Sequence, residues 1–295
     1  TIVRAAQHPV IHATNTCIDL SPVSHSVIQR TGLHFCAGME LCMRAVGRLL
    51  WWSEWITSGE TSEQNDVDLM TPSTLEYKGN WSEVQARALL QHAGIPVTPG
   101  ELVTSAEEAV RAARKLGMPV ALKVQSAAIL HKSDVGGVAL HLNSEQAVHH
   151  AFTAMLELVQ AAQPDAEIDG VLVSPMRTGG TELLVGIVRD QLWGLVLTLG
   201  LGGIWTEALR DTAVRLLPVG RAEIEAMLGE LRGSALLTGG RGRAAVDMQA
   251  LSDIIYRIST LAQKLGPELS ALEINPLWID PERIEALDVL IEWQE

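Results

Sequence analysis

Cysteine is scarce in this sequence. The chain of 295 residues contains three, Cys17, Cys36 and Cys42, all near the amino terminus. Their number is odd, and no histidine or cysteine accompanies them at a metal-ligand spacing, which argues against a disulfide framework and a zinc site. The pattern is typical of reduced thiols, so we expect a cytoplasmic protein.

Long apolar runs are also absent. The longest apolar stretch, residues 193–205, is broken by four glycines, and no run approaches the roughly 20 residues of a membrane-spanning helix. The opening residues lack the basic start and apolar core of a signal peptide. They also lack an initiator methionine, so we expect the chain to begin inside a longer polypeptide or after processing.

Positive charge is in deficit. The sequence has 22 lysines and arginines against 35 aspartates and glutamates, a net charge of −13. Nucleic acids and anionic membranes both favour clustered Lys and Arg, so we expect neither as a partner. A local basic pocket for a nucleotide stays possible.

A predicted linker divides the chain into two parts of different character. Residues 59–79 are polar, rich in Ser and Thr, and without apolar periodicity, which predicts a linker. Before it lie a predicted strand at Pro9–Ala13 and a predicted helix at Gly38–Trp55. One helix and one or two strands cannot form their own core, so we expect residues 1–58 to be the tail of another α/β domain or to pack on a neighbour.

The part after the linker alternates helices and strands. Capping-box pairs predict three helix starts, namely Ser82 with Gln85, Ser105 with Glu108, and Asn143 with Gln146. Strands are predicted at 120–124, 135–142, 169–176, 181–189 and 195–199, further helices at 222–231 and 247–265, and a closing hairpin at 271–279 and 284–291. This order favours an α+β fold in two lobes.

The segment LKVQSAAILHKSDVGGV carries the first candidate site. It places Lys123 on a short strand, His131 and Ser133 in the following polar loop, and Gly136 and Gly137 before a second strand. A lysine charge beside a turn without β-carbons suits a polyphosphate, because backbone N–H groups can approach its oxygens. A surface hairpin with a Gly-Gly turn is the alternative.

Two further motifs carry acidic residues. In GLGGIWTE, Glu207 follows a glycine-rich turn that matches neither the P-loop nor the dinucleotide-binding pattern. In LEINPL, Glu273 and Asn275 are expected to share one strand face, and Asp288 on the partner strand can join them. Two carboxylates and an amide suit Mg²⁺. A solvated strand face is the alternative, and Pro276 is expected to end the ladder pairing.

Six segments in this order resemble a known family, namely Lys123, SAAILHKSDVGGV, GVLVSPMRTGGTELLVGIVRD, GLGGIWTEALRDTAVRLLP, LLTGGRGRAAVD and LEINPL. Together they closely resemble the ATP-grasp portion of NDP-forming acyl-CoA synthetases, relatives of succinyl-CoA synthetase. These enzymes make acyl-CoA from a carboxylic acid, CoA and ATP, and release ADP and phosphate. The resemblance covers residues 80–295 and implies a two-lobed ATP-grasp fold, with a small lobe at about 103–172 and a large lobe at about 173–295. Residues 1–58 resemble the end of a flavodoxin-like CoA-ligase domain.

The resemblance implies a role for each matched residue. Lys123 would contact ATP phosphate, and His131 would be the second phosphohistidine of the relay in the ADP-forming branch. Residues 171–176 would be the hinge between the lobes that holds adenine. The nucleotide would be held by Ser133, Gly136, Gly137, Val173, Met176, Glu182, Gly202 and Gly203. Glu207, Asn275 and Asp288 would bind Mg²⁺, with Glu273 behind them.

Residues 1–79 supply neither the Rossmann glycine turn nor the first phosphohistidine loop of the complete family. We therefore expect CoA and the carboxylic acid to bind mainly through upstream domains or a partner subunit, in a hetero- or homo-oligomer. The acyl substrate cannot be read from the sequence. Two other functions stay open: a nucleotide-binding regulatory module of a protein acetyltransferase, and an ATP-grasp carboxylate–amine ligase.

Overall fold

The computed structural model describes residues 12–13, 21–32, 35–36, 38–57, 79, 81–129, 132–202, 211–240 and 244–294. They belong to two compact units, residues 1–63 and residues 64–295. The division falls inside the segment predicted as a linker, of which only Gly79 is described. The linker therefore stays a prediction.

The described residues of the first unit form two short parallel strands and two helices. Strand β1 (His12–Ala13) pairs with β2 (Phe35–Cys36), helix α1 (Pro22–Thr31) lies between them in sequence, and helix α2 (Met39–Thr57) follows. Helix α2 confirms the predicted helix, whereas α1 was not predicted. A parallel pair joined through a helix is typical of α/β domains. The flavodoxin-like origin of this unit stays a prediction.

The second unit is built from helices and strands of ordinary length. Its helices are α3 (Glu83–His92), α4 (Ala106–Leu116), α5 (Glu145–Ala162), α6 (Arg221–Glu230) and α7 (Met248–Lys264). Its strands are β3 (Glu101–Val103), β4 (Val120–Gln125), β5 (Val138–Leu142), β6 (Gly170–Pro175), β7 (Thr181–Asp190), β8 (Gly194–Leu201), β9 (Thr212–Leu216), β10 (Leu269–Ile279), β11 (Ile284–Ala286) and β12 (Val289–Trp293). None of the described helices combines the length and apolar composition needed to cross a membrane.

The strands form two antiparallel sheets. The smaller sheet has the order β3-β6-β4-β5, and the larger has the order β11-β10-β7-β8-β9, with β12 also pairing with β10. The smaller sheet and its helices span residues 101–175. The α+β class and the two lobes predicted from the sequence are both present.

Each sheet has its own apolar core. Helices α4 and α5 cover the smaller sheet, and α6 and α7 cover the larger one. Helix α3 precedes the small lobe in sequence but packs in the core of the large lobe, where Trp81 contacts Trp293 with ring centroids 5.0 Å apart. Along β7 buried and accessible residues alternate, which leaves one face of the larger sheet uncovered by its helices.

Two predicted helix and strand starts were wrong. Helix α5 begins after Ser144, not after Asn143, because the Ser144 hydroxyl accepts a hydrogen bond from Ala147 N at 3.2 Å. The strand predicted at 135–142 begins at Val138, since residues 132–135 form a 3₁₀ turn that ends at Gly136 with φ 73°.

The closing hairpin also differs from its prediction. The second predicted strand is divided into β11 and β12, and Asp288 lies in the break. Pro276 does not end β10, which pairs with β7 both before and after it. The register shifts between Ile274 and Leu277. A bulge of this kind accommodates a proline, because it removes the nitrogen from the ladder. Strands β3 and β9 were not predicted.

Candidate functional site

A pocket of about 360 Å³ lies between the two lobes. It is lined by Lys132, Ser133, Asp134 and Val138 from the small lobe and by Glu273, Asn275, Asp288, Val289 and Leu290 from the large lobe. Ser133 of the candidate phosphate loop therefore shares one cavity with the candidate metal ligands Asn275 and Asp288.

Lys123 lies on β4, and its ammonium contacts carboxylate and carbonyl oxygens beside this pocket. Its Nζ lies 2.7 Å from Asp288 Oδ2 and 3.6 Å from Glu83 Oε1, and it donates to Leu287 O at 3.2 Å. The lysine side chain is 12% exposed. The structure thus pairs the predicted phosphate cation directly with a predicted metal ligand.

Glu83, in the first turn of α3, lies at the centre of these charges. Its Oε2 is 2.6 Å from Lys132 Nζ, and its Oε1 is 3.3 Å from Arg87 Nη1. The Glu83 side chain is 1% exposed. Burial alone would raise the pKa of Glu83, but the positive charges of Lys123, Lys132 and Arg87 outweigh burial and lower this pKa to about 2. Glu83 is therefore ionised at neutral pH.

Asp288 has the opposite electrostatic balance. Partial burial and the negative charge of Glu83 raise the pKa of Asp288, and the two nearby lysines only partly offset them. Its side chain is nevertheless 38% exposed, far more than that of Glu83. Asp288 is thus the accessible carboxylate of the cluster, and Glu83 is the inaccessible one.

The described candidate metal ligands are two carboxylates and one side-chain amide. Glu273, Asn275 and Asp288 line the same pocket, Asn275 Nδ2 donates to Glu273 Oε1 at 3.1 Å, and Asn275 N donates to Asp288 O at 3.2 Å. Within the described residues, no three His, Cys, Asp or Glu side chains form a group able to hold a metal alone. Two or three protein oxygens completed by phosphates are the ligands that Mg²⁺ prefers, so the residues present fit that ion.

The glycine loop is held together by its own hydrogen bonds. Gly136 N donates to Ser133 O at 3.2 Å, and Gly137 N donates to Lys132 O at 2.7 Å. Both N–H groups are thus already used inside the loop. Gly136 and Gly137 therefore shape the turn that carries Lys132 and Ser133, and these two N–H groups are not free to bind a phosphate.

We expect Gly137→Ala to destabilise the protein by about 1–3 kcal/mol through overpacking. An added β-carbon would lie 2.5 Å from Val124 Cγ1 and 2.9 Å from Lys132 O. Gly229→Ala, in α6 with nothing within 4 Å, is the control and should be neutral or stabilising. Equal midpoints in chemical denaturation for Gly137→Ala and the wild type would contradict the expected overpacking.

The predicted adenine-binding residues differ in position. Val173 is fully buried in the core of the small lobe, and its backbone pairs with both β3 and β4. Met176, partly exposed, follows β6 where the chain leaves for the large lobe. The next residue, Arg177, donates two hydrogen bonds to Glu285 Oε2, at 2.9 and 2.6 Å, which fixes this connection. Met176 is therefore better placed than Val173 to contact a ligand.

Glu182 and Gly202 are neighbours at one end of the larger sheet. Gly202 N donates to Glu182 O at 2.6 Å, and a β-carbon on Gly202 would lie 2.9 Å from Glu182 Cβ. The absence of a side chain at Gly202 therefore allows its backbone to lie close to Glu182 of β7. The Glu182 side chain is exposed. The predicted nucleotide contacts of both residues stay predictions.

Three predicted site residues, His131, Gly203 and Glu207, lie outside the described residues. Sequence reasoning in turn missed Glu83, Arg87 and Lys132 as members of the site. A signal was present, because Glu83 and Arg87 occupy the i and i+4 positions of the α3 face that also contains Ala86 and Leu90. Two opposite charges on an apolar helix face indicate buried ion pairing.

Comparison with known proteins identifies similar sequences. Residues 75–292 match the family described as ATP-grasp domain. The chain is 34% identical over 206 residues to the beta subunit of ADP-forming acetate–CoA ligase I from Pyrococcus furiosus, a match that covers 70% of this chain and 88% of the subunit. It is 33% identical over 266 residues to a trans-feruloyl-CoA synthase of an unknown prokaryote, covering 90% of this chain but 37% of that protein.

A solved structure is similar in the same region. It is the dinucleotide-forming acetyl-coenzyme A synthetase 1 of Ca. Korarchaeum cryptofilum in complex with coenzyme A and Mg-AMPPCP, with a phosphohistidine segment pointing towards the nucleotide-binding site. The match has 33% identity, a TM-score of 0.62, and covers 74% of this chain and 94% of that chain. The ATP-grasp fold predicted from the sequence is confirmed by these matches.

Proposed function

The chain belongs to the ATP-grasp family, among the ADP-forming acyl-CoA ligases, and we propose that it is the nucleotide-binding portion of such a ligase. The complete enzyme joins a carboxylic acid to CoA with ATP and releases ADP and phosphate. The chain spans nearly all of a separate beta subunit but about a third of a single-chain relative. CoA and the acid therefore bind, in this proposal, mainly on further domains or a partner subunit.

One observation carries the proposal. Lys123 and Asp288 lie 165 positions apart in the sequence, yet their side chains meet at 2.7 Å beside a pocket between two lobes. Mg-ATP offers the complementary charges, because its phosphates can replace Asp288 at Lys123 and its cation can replace Lys123 at Asp288. The ion pair thus occupies the two positions that the nucleotide complex requires.

The phosphoryl acceptor in this proposal is His131. It directly precedes Lys132, which is one of the residues that line the pocket. A neutral imidazole nitrogen attacks the γ-phosphorus, an N–P bond forms, the bond to the bridging oxygen breaks, and ADP leaves with its electron pair. A protonated phosphoimidazole is a good leaving group, so the phosphoryl group can then pass to the other phosphohistidine of the relay and from there to a carboxylate.

Lys123→Met tests the nucleotide site. The substitution keeps the buried methylene stem and removes only the charge, whose contact with phosphate contributes roughly 1.5–3 kcal/mol. We therefore expect Mg-ATP affinity to fall roughly ten- to a hundredfold in titration calorimetry. Lys115→Met, which removes a lysine that is 74% exposed and paired with Glu101, is the control and should bind like the wild type. Unchanged affinity in Lys123→Met would contradict the site.

A further inference from the structure

Glu83 reaches three cations that come from three different segments. Lys123 belongs to β4, Lys132 to the turn after position 131, and Arg87 to the next turn of α3 itself. Oε2 of Glu83 lies 2.6 Å from the Lys132 ammonium. Oε1 lies 3.6 Å from the Lys123 ammonium and 3.3 Å from the Arg87 guanidinium. Glu83 lies in neither of the two motifs, SAAILHKSDVGGV and LEINPL, from which the phosphate loop and the metal ligands were predicted.

The Glu83 carboxylate is the fixed member of the cluster. Helix α3 is embedded in the core of the large lobe through Ala86, Leu89 and Leu90. Arg87 ties the same turn to other segments, because its guanidinium donates to Thr98 O and to Leu287 O. Lys123 and Lys132 have long flexible side chains, so they adjust to Glu83 and not the reverse.

The two carboxylates that contact Lys123 differ in access from the pocket. Asp288 lines the pocket and is 38% exposed, whereas Glu83 is 1% exposed and is not among the lining residues. An entering phosphate can therefore displace Asp288 from Lys123 but cannot reach Glu83. Glu83 can therefore stay paired with Lys123 and Lys132 both before and after the nucleotide binds.

We propose that Glu83 is a positioning residue, which holds the ammonium groups of Lys123 and Lys132 at fixed places for the phosphates of the nucleotide. Through Lys132 it also fixes the residue next to His131. Glu83 touches neither nucleotide nor acceptor and acts through the lysines. This inference rests on the proposed nucleotide site and adds the residue that organises it.

A double-mutant cycle tests this role. We expect Glu83→Gln to weaken Mg-ATP binding about tenfold and to slow protein phosphorylation at saturating Mg-ATP about a hundredfold in the complete enzyme, both measured well below the unfolding midpoint. When Lys123 and Lys132 are both replaced by methionine, Glu83→Gln should weaken binding by less than about threefold further, because both lysines through which it acts are already neutral. Glu223→Gln, which removes a carboxylate paired with Arg215 at 3.2 Å and 17% exposed, is the matched control and should behave like the wild type.

Each outcome has a distinct meaning. A folded Glu83→Gln variant with wild-type affinity and rate would overturn the positioning role, and so would a further loss of more than threefold when both lysines are already methionine. If Glu83→Gln does not fold, Glu83→Asp is the second variant, because it keeps the negative charge and withdraws it from both ammonium groups by one methylene. Wild-type affinity and rate in Glu83→Asp would then overturn the positioning role. Failure of the wild type to bind Mg-ATP would instead refute the nucleotide site itself.

Discussion

Replacing His131 with alanine is expected to abolish transfer of phosphate from ATP to the protein in the complete enzyme, while ATP still binds. The imidazole is proposed to carry the phosphoryl group covalently, and no other binding group can replace a covalent carrier. Overall acyl-CoA synthesis should therefore fall by several orders of magnitude. ATP affinity should stay within roughly tenfold of the wild type, because one neutral hydrogen bond contributes only about 0.5–1.5 kcal/mol.

The measurement uses the chemical stability of the label. Phosphohistidine is hydrolysed in acid and survives alkali, whereas phosphoserine and phosphothreonine behave in the opposite way. The wild-type enzyme with γ-labelled ATP and Mg²⁺ should give an acid-labile phosphoprotein, and His131→Ala should give none. His141→Ala, at an exposed histidine of β5, is the control and should be labelled normally. Full labelling of His131→Ala would mean that ATP phosphorylates another histidine directly.

Asp288→Asn is expected to lower turnover by about a hundredfold or more while leaving the fold intact. The substitution keeps the shape of the side chain and removes the negative charge proposed to bind Mg²⁺. Affinity for Mg-ATP should fall. Affinity for ATP without metal should rise, because Asp288 no longer repels the phosphates beside Lys123. The wild-type preference for Mg-ATP over free ATP should therefore collapse in calorimetric titrations.

The same variant has a predicted effect on stability. The pKa of Asp288 is raised in the folded protein by burial and by Glu83, so folding becomes less favourable as the pH rises from 3.8 through this raised pKa. Asp288→Asn removes this penalty. Its melting temperature at pH 7 should be within about 2 °C of the wild type or higher. Asp165→Asn, in an exposed loop, is the matched control for both measurements. A large loss of stability, or an unchanged metal preference, would contradict the ligand role.

Glu83 should show the opposite dependence on pH. Its pKa is lowered to about 2 from an ordinary value of 4.5. Its contribution to stability is therefore complete above pH 4.5 and is lost as the pH falls towards 2. A carboxylate with a lowered pKa, such as Glu83, stabilises the fold when it is ionised, whereas the ionised Asp288, with its raised pKa, destabilises it. Such a cost is typical of functional residues.

The sequence made some of this site predictable. Lys123, Ser133, Asn275 and Asp288 stand in local patterns, a strand followed by a polar glycine turn and a strand with spaced oxygen side chains. The structure brings Lys123 and Asp288 into contact and places Ser133 and Asn275 in the adjoining pocket. Period-two alternation was sufficient to put Glu273 and Asn275 on one side.

The remaining features depend on contacts between distant segments. Glu83 meets Lys132 across 49 positions, and nothing in either local sequence specifies that pairing. The break in the last hairpin that exposes Asp288 follows from pairing of β10 with two short strands, which periodicity does not indicate. Val173 was assigned to adenine because its whole segment was read as a hinge. Residues 170–174 of β6 are all buried, and the Val173 side chain lies in the core of the small lobe. Its contact with adenine stays a prediction.

The products of one reaction test the central claim most directly. The complete enzyme, formed by this chain with its further domains or partner subunit, should be incubated with CoA, Mg-ATP and a panel of carboxylic acids, and the products followed by phosphorus NMR and mass spectrometry. We predict acyl-CoA, ADP and phosphate in equal amounts with at least one acid, and far less of each with Lys123→Met at limiting Mg-ATP. AMP and pyrophosphate, or an amide in place of the thioester, would contradict an ADP-forming acyl-CoA ligase. So would the absence of turnover with a chain that binds Mg-ATP, which is the behaviour of a regulatory module.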